Sequence, residues 1–275
     1  MINEKNYEMI PAEEDNFPLR LRRYRGRAKF PMHWHGHAEL LYFSKGGATI
    51  YCGGEEYFAA DGDMIIANAN ELHRGDAGAS GVDYMCVMLP PSFFDSVGGD
   101  RRYIFQNHIK EDENIRRLTL RLFNTFESGT DGRRYLSMGI AYELIAYLAE
   151  NYAKEQLNRH GYAVRNSKLE SFNNVIEYIE KHCTEPLTTA DAARMAHLSE
   201  SYFCHMFKKH TGSSFTAYLN EMRVQKAAVL LKSTRMTVTE TAAEAGFNDV
   251  NYFCRVFKSR TGVSPRQYKK ESMGL

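Results

Sequence analysis

The chain is poor in cysteine, and its five cysteines (Cys52, Cys86, Cys183, Cys204 and Cys254) include no Cys-x-x-Cys pair. That argues against a zinc finger or a disulfide framework and for reduced thiols. Long apolar runs are also missing: no stretch approaches the roughly 20 residues that a membrane helix needs. The first residues carry Glu4, Glu8, Glu13, Glu14 and Asp15, unlike the basic start of a signal peptide, so a cytoplasmic protein is expected. A strong overall charge is lacking too, the formal net charge being +1. This balance hides an asymmetry. From Glu170 onward there are 14 Lys or Arg against 11 Asp or Glu, and before it 21 against 23. The cations of the second part gather at Lys208, Lys209, Arg255, Lys258, Arg260, Lys269 and Lys270, and nucleic-acid binding requires such clustering rather than a very basic domain. With 275 residues, 43% hydrophobic and 25% charged, the composition is that of globular protein with room for two cores.

What the sequence does contain is a repeat. Tyr202-Phe203-Cys204, Phe207-Lys208, Thr211-Gly212, Ser214 and Tyr218 return fifty residues later as Tyr252-Phe253-Cys254, Phe257-Lys258, Thr261-Gly262, Ser264 and Tyr268, nine identities in seventeen positions. Ala192-Ala193 and Ala242-Ala243 match at the same offset. One structural unit is therefore used twice. In each copy an Ala-rich helix opens at Thr188 or Val238, breaks, and is followed by a second helix that Ser199 or Asp249 can cap. The break holds Gly246 in the second copy and His197 in the first, so the first turn must accommodate a side chain.

Phe203 and Phe207, like Phe253 and Phe257, lie four apart and share a buried face. The opposite face then carries Ser201, Cys204, His205 and Lys208 in one unit and Asn251, Cys254, Arg255 and Lys258 in the other. Side chains of these kinds can contact base edges and phosphates in a major groove. Polar residues opposite a buried stripe are also what any solvated helix face shows; repetition of the whole unit favours the reading role. The two cysteines read as small residues at the edge of that face, with nothing to mark a lowered thiol pKa. Between the units, Phe215 to Lys232 reads as one helix of about 27 Å, a strut on which two compact units could span the ~34 Å between successive major-groove faces.

The segment from about Phe172 to Lys270 resembles the DNA-binding domain of AraC/XylS-type transcription regulators. The likeness is carried by Ala242, Glu244-Ala245-Gly246-Phe247, Tyr252-Phe253, Arg255, Phe257-Lys258, Gly262, Ser264-Pro265 and Tyr268. The resemblance implies DNA contacts at Ser201, Cys204 and His205 in the first recognition helix and at Val250, Asn251, Tyr252 and Arg255 in the second, and Arg223 also fits its pattern. Lys269 departs from the arginine usual after the tyrosine, keeping the charge but losing a planar fork.

The first part alternates short β-rich runs (Leu19–Tyr24, Glu39–Ser44, Ala48–Cys52, Glu56–Ala59, Met64–Ala67 and Val82–Met88) with the turns Gly46-Gly47, Gly53-Gly54 and Asp61-Gly62-Asp63. Such spacing predicts a sandwich or barrel. Within it, His33-x-His35-x-x-x-Glu39, Gly46, Gly62-Asp63 and His73 resemble the two cupin motifs, with Ala69 where the second motif usually has proline. Three imidazoles and a carboxylate form a candidate site for Zn, Ni, Mn or Fe, but the expectation favoured over it is a His-rich barrel mouth that holds a small effector by hydrogen bonds, with no metal or other cofactor. His37 is read as facing away from this group by strand alternation if the strand has begun there. Arg20, Arg22, Tyr24, Trp34 and Tyr42 add aromatic and polar groups that suit a sugar or a small polar acid, or serve as ordinary barrel filling. The effector set is thus Arg22, Tyr24, His33, His35, Glu39, Tyr42 and His73.

Apolar residues at helical spacing (Ile115, Leu118, Leu122 and Phe126, then Leu136, Ile140, Leu144, Ile145, Leu148 and Tyr152) predict a helix pair joined around Ser128 to Gly132. By resemblance this pair dimerises the chain. Residues 157–168 lack apolar periodicity and are expected to form a linker. The expected fold class is α+β: residues 1–156 a cupin-like barrel with its helix pair, then residues 169–275 an all-α domain with helix-turn-helix units at 188–209 and 238–261 joined by a long helix. The expected function is that of a DNA-binding transcription regulator, an activator by resemblance and a partner of RNA polymerase, controlled by a small molecule, a sugar being one candidate. The alternative is a metal-dependent cupin enzyme with a DNA-binding tail. No second acid/base constellation accompanies the His and Glu residues, and a metal alone does not define a reaction.

Overall fold

The computed structural model describes residues 17–27, 29–77 and 81–272; the acidic residues Glu4 to Asp15 lie outside them. Two compact units divide the chain, the first ending at Asn173 and the second beginning at Asn174.

The first unit contains β1 (Arg20–Gly26), β2 (Lys29–His33), β3 (Ala38–Gly46), β4 (Ala48–Cys52), β5 (Glu55–Ala59), β6 (Met64–Ala67), β7 (His73–Asp76) and β8 (Val82–Leu89). Then follow α1 (Pro91–Asp95), β9 (Arg101–Phe105), β10 (His108–Ile109), α2 (Glu113–Glu127), α3 (Arg133–Asn151) and β11 (Ala153–Asn158). The strands form an antiparallel five-stranded sheet in the order β1-β8-β3-β6-β10, a four-stranded sheet β2-β7-β4-β5, and a small pair β11-β9. The two larger sheets share one core of Leu41, Phe43, Ile50, Cys52, Ile65, Ala67, Tyr84, Cys86 and Met88. The other face of the five-stranded sheet, with Leu40, Tyr42, Met64, Ile66, Met85 and Val87, packs against Ile115, Leu118, Leu122 and Phe123 of α2 and Ile140, Ala141, Leu144 and Leu148 of α3. A sheet covered on both sides needs apolar residues at every position, which is why β3 reads as the near-continuous run Leu40-Leu41-Tyr42-Phe43.

The helix pair forms where the periodicity places it. Asp112 caps α2, accepting from the backbone N–H groups of Asn114 and Ile115 at 2.8 and 2.9 Å. Its other oxygen accepts from the hydroxyls of Tyr147 (2.9 Å) and Tyr152 (2.6 Å) at the end of the hairpin. The strands β2, β7, β9, β10 and β11 fall outside the β-rich runs of the sequence. In β7 the cause is visible: it reads His73-Arg74-Gly75-Asp76, without alternation, and a Cβ on Gly75 would stand 2.4 Å from the Phe30 ring. Close packing of β2 on β7 thus excludes the residues that would have marked a strand.

The expected linker requires correction. Leu157 and Asn158 end β11, and a single helix, α4 (Arg159–Lys181), begins at Arg159. Polar contacts hold it to the first unit: Arg165 donates to the buried carboxylate of Glu71 at 2.7 Å, and Asn173 donates to the Asn70 carbonyl at 3.0 Å. A helix fixed by polar contacts shows no apolar stripe, so the sequence of its first half has the pattern of a linker.

The second unit continues with α5 (Thr189–Met195), α6 (Glu200–Thr211), α7 (Phe215–Ser233), α8 (Val238–Glu244), α9 (Val250–Thr261) and α10 (Pro265–Ser272). Reciprocal capping boxes start α5, between Thr188 and Asp191, and α8, between Thr237 and Glu240. Ser199 and Asp249 cap α6 and α9. The repeated Thr-Gly-x-Ser is a stop and restart signal. Gly212 and Gly262 end their helices in the left-handed region, and the hydroxyls of Thr211 and Thr261 bond back to Phe207 and Phe257. Ser214 and Ser264 then accept from the first turn of the next helix. Tyr218 and Tyr268 meet Phe207 and Phe257 edge-on at 5.4 and 5.3 Å.

Gly246 has φ +88°, and a Cβ there would meet the Thr184 backbone at 2.6 Å; His197 at the matching turn has φ +56°. Gly246→Ala is expected to lower the melting temperature of the second unit markedly. His197→Gly should leave it unchanged or stabilise it by about 1 kcal/mol or less, through relief of the left-handed backbone. Thermal unfolding of both variants checks this.

Candidate effector pocket and nucleic-acid interface

Strand parity decides which side chains meet inside the first unit. Glu39, Leu41 and Phe43 of β3 point toward the four-stranded sheet, and the β2–β7 register sets His33 beside His73. His35, between β2 and β3, completes the group. The ring centroids of His33 and His73 are 4.1 Å apart and those of His35 and His73 5.1 Å. One donor atom from each of His33, His35, Glu39 and His73 lies within 4.8 Å of all the others.

The protons can be placed. The Nδ1 atoms of His33, His35 and His73 face the carbonyl oxygens of Pro31 (3.0 Å), His37 (3.1 Å) and Glu71 (2.8 Å). A carbonyl only accepts, so each Nδ1 carries hydrogen and each Nε2 of a neutral ring is a lone pair. The Nε2 atoms of His35 and His73 lie 3.0 and 3.2 Å from the same oxygen, Oε2 of Glu39. Its other oxygen accepts from the Cys86 thiol at 3.2 Å. Burial opposes ionisation of Glu39, but the hydrogen bonds and charges of His35 and His73 outweigh it and hold the carboxyl well below its usual range. Burial likewise pushes His73 down, and Glu39 more than offsets this, leaving His73 raised. His33 is lowered to about 3 by burial, then by the charge of His73, and so stays neutral. Three nitrogens, each oriented by a carbonyl, with one carboxylate oxygen form a donor set that fits a first-row divalent metal ion.

The remaining effector candidates divide. Arg22 and Tyr24 lie opposite Cys86 and Tyr84 in the β1–β8 register, on the same sheet face as Glu39. Tyr24 stacks on Tyr84 at 4.9 Å, with the Arg22 guanidinium 3.5 Å from its hydroxyl. Tyr42 belongs to the other face: its side chain packs in the core under α2 and α3, three positions from Glu39 and hence of opposite parity, so it does not line this site. His37 stands just before β3 with its ring 5.9 Å from that of His35; two positions from both His35 and Glu39, it would by alternation share their face rather than turn away. Burial, then the charges of His35 and Arg20, lower it to about 4.

Glu71 belongs to no motif of the sequence; its one signal is that Asn68, Asn70 and Glu71 are polar residues between β6 and His73. One carboxylate oxygen accepts from the Asn68 backbone and side chain (both 3.1 Å) and from Asn107 (2.7 Å). The other receives Arg165 of α4, while the Glu71 carbonyl orients His73.

In the second unit the nine repeated residues sort by burial. Phe203, Phe207, Phe253 and Phe257 are fully buried, and the Thr-Gly-x-Ser and tyrosine positions serve the junctions described above. Tyr202 and Tyr252, Cys204 and Cys254, and Lys208 and Lys258 are fully or partly exposed and lie outside those junctions. The neighbouring exposed positions differ between copies: Ser201 against Asn251, and His205 against Arg255. Val250 is half-buried against Phe253 and its cluster, which leaves it less to offer a groove than its neighbours. Arg223 has a structural role. It donates to the carbonyls of Cys183 (2.6 Å) and Glu185 (2.8 Å) and lies 5.8 Å over the Phe247 ring.

A family profile described as an AraC-like ligand binding domain matches residues 19–145, and one described as a helix-turn-helix domain matches residues 192–271. The chain belongs to the AraC family of transcription regulators. Among relatives of this AraC-type chain, the HTH-type transcriptional regulator YbfI of Bacillus subtilis is 22% identical over 212 residues, covering 74% of each chain. The HTH-type transcriptional activator RhaR of Mannheimia succiniciproducens is 23% identical over 226 residues, covering 80% of each. Among solved structures, ToxT of Vibrio cholerae with a bound unsaturated fatty acid matches 94% of this chain and 96% of its own at 15% identity and TM-score 0.42. The DNA-binding domain of AdpA in complex with target DNA matches 38% of this chain and 94% of its own at 26% identity and TM-score 0.37. No helix among the described residues is long and apolar enough to cross a membrane.

Arg255 and Lys258 are expected to differ when DNA binding is measured. Arg255→Ala should relax preference at one base pair by about 1–3 kcal/mol. Lys258→Ala should weaken all sequences alike and flatten the salt dependence, as loss of a phosphate contact does. Titrations on a selected site and its single-base variants at several salt concentrations separate the two; a uniform loss in Arg255→Ala removes the base-reading role.

Proposed function

We propose that this AraC-type regulator reads DNA through α6 and α9 and is controlled by a divalent transition-metal ion held by His33, His35, Glu39 and His73. The observation that carries the reading is the convergence of the His35 and His73 Nε2 atoms on one oxygen of Glu39, with every Nδ1 committed to a carbonyl. Neutral rings would set lone pairs against lone pairs. A single imidazolium, at His73, would still leave the His35 Nε2 lone pair against the same oxygen, and protonating both would bury two imidazolium ions against a single carboxylate. A cation bound by all four groups removes both conflicts. A sugar effector has its own support in the Tyr24–Tyr84 stack and Arg22, which offer an aromatic face and a fork of donors at the sheet edge.

Metal binding shifts a population between states of different DNA affinity. The route starts at His73, whose Nδ1 is held by the Glu71 carbonyl, and reaches α4 through the Glu71 side chain and Arg165. In this reading the protein is a cytoplasmic homodimer that activates transcription through RNA polymerase. The exposed Tyr135 and Leu136 of α3 and the activator named among its relatives support the dimer and the activation.

Metal analysis of protein purified without chelator, with thermal melting of stripped protein against Zn²⁺, Ni²⁺, Mn²⁺, Fe²⁺ and a panel of sugars, tests the reading, since a ligand of the folded state raises its stability. One metal per chain and a metal-dependent melting shift are expected, both lost in His73→Ala and Glu39→Ala, together with a change in DNA affinity. A shift with a sugar alone, abolished by Arg22→Ala, would move the effector to the sheet edge. Metal that leaves DNA affinity untouched would favour a cupin enzyme with a DNA-binding tail. Glu71→Gln is expected to keep the metal but blunt the DNA response several-fold, because it weakens the charged bond to Arg165; an unchanged response removes Glu71 from the route.

A further inference from the structure

The second recognition helix is braced from outside the helix-turn-helix unit. Asn220, on the connecting helix α7, is buried, and its Nδ2 donates to the Tyr252 hydroxyl at 2.7 Å. The Arg255 guanidinium lies over the Tyr252 ring, 5.4 Å from its centroid. One residue on from Asn220, Glu221 reaches Arg260 at 3.4 Å, so successive residues of α7 hold side chains on two turns of α9. The first unit is built differently. Tyr202, the counterpart of Tyr252, is 52% exposed against 36%, and among the described residues no partner is bonded to its hydroxyl.

We infer that Asn220 is a positioning residue for base recognition: it fixes the Tyr252 ring, and the ring fixes the guanidinium of Arg255 before DNA arrives. An arginine side chain left free must lose its rotamer freedom on binding, and that loss falls on correct and incorrect sites alike. One already stacked on a fixed ring presents its fork in a single direction, so a mismatched base meets donors that cannot turn away. Asn220 touches no base; it acts by narrowing the directions in which Arg255 points. The inference rests on Arg255 being a base-reading residue.

The test uses the full chain, a DNA site obtained by selection from a random library, and its single-base variants at fixed salt. Arg255→Ala first identifies the base pair that the arginine reads. Asn220→Ala is then expected to reduce discrimination at that same base pair by about three- to tenfold, as release of one ordered side chain predicts, with little change in affinity for unrelated DNA. Tyr252→Phe keeps the ring but removes the hydroxyl; it should reproduce the loss, and combination with Asn220→Ala should add nothing further. A purely structural asparagine would instead lower the melting temperature and weaken every sequence by one factor, and that result overturns the proposal. So does unaltered discrimination in Asn220→Ala where Arg255→Ala alters it. If Arg255→Ala itself changes no base preference, the base-reading assignment has failed and the role of Asn220 falls with it.

Discussion

One buried carboxylate organises the first unit. Glu39 is 7% exposed, and against the pull of burial its carboxyl is held well below the usual range by His35 and His73, which address one of its oxygens, while a thiol donates to the other. A lone carboxylate in such a place would cost several kcal/mol. The partners that offset this come from β7, from the turn after β2 and from β8, so both sheets must be in place before Glu39 is tolerable. Tolerating Glu39 is thereby tied to closure of the two sheets, and the carbonyls of Pro31, His37 and Glu71 hold the Nδ1 atoms, leaving the Nε2 atoms of His35 and His73 to face the carboxylate.

Much of this was legible in the sequence, for identifiable reasons. His33, His35, Glu39 and His73 announced themselves by residue type and spacing, and strand alternation carried enough information to place Tyr42 on the other face, since it is an odd number of residues from Glu39. The helix pair and the recognition helices were legible because each buries an apolar stripe. What escaped was held by polar contacts. The first half of α4 depends on Arg165 and Asn173 meeting Glu71 and Asn70, partners about a hundred residues distant, which no local pattern records. β9 and β11 likewise pair across two intervening helices, and Gly75 erases the alternation of β7 because the Phe30 ring occupies the place of a side chain.

The two helix-turn-helix units show how far a repeat constrains its copies. Their ends are punctuated identically, with a threonine and a left-handed glycine closing one helix and a serine opening the next. Their turns differ, with His197 at φ +56° where the other unit has Gly246 at φ +88°. The second turn cannot follow the first, because a side chain there would strike the Thr184 backbone, a neighbour that only the surrounding fold supplies.

Within each recognition helix, the residues that support the fold and those left at the surface alternate along a single turn: Phe203 beside Cys204, and Phe253 two residues from Arg255. Surface substitutions away from caps, cores and buried networks usually change stability by no more than about half a kcal/mol. Point changes at exposed positions such as 201, 205, 251 and 255 can therefore accumulate while the scaffold keeps its stability margin. The two copies keep the same buried phenylalanines and helix junctions and differ at such exposed positions, so the repeat separates the residues that fold the unit from those at which the copies are able to diverge.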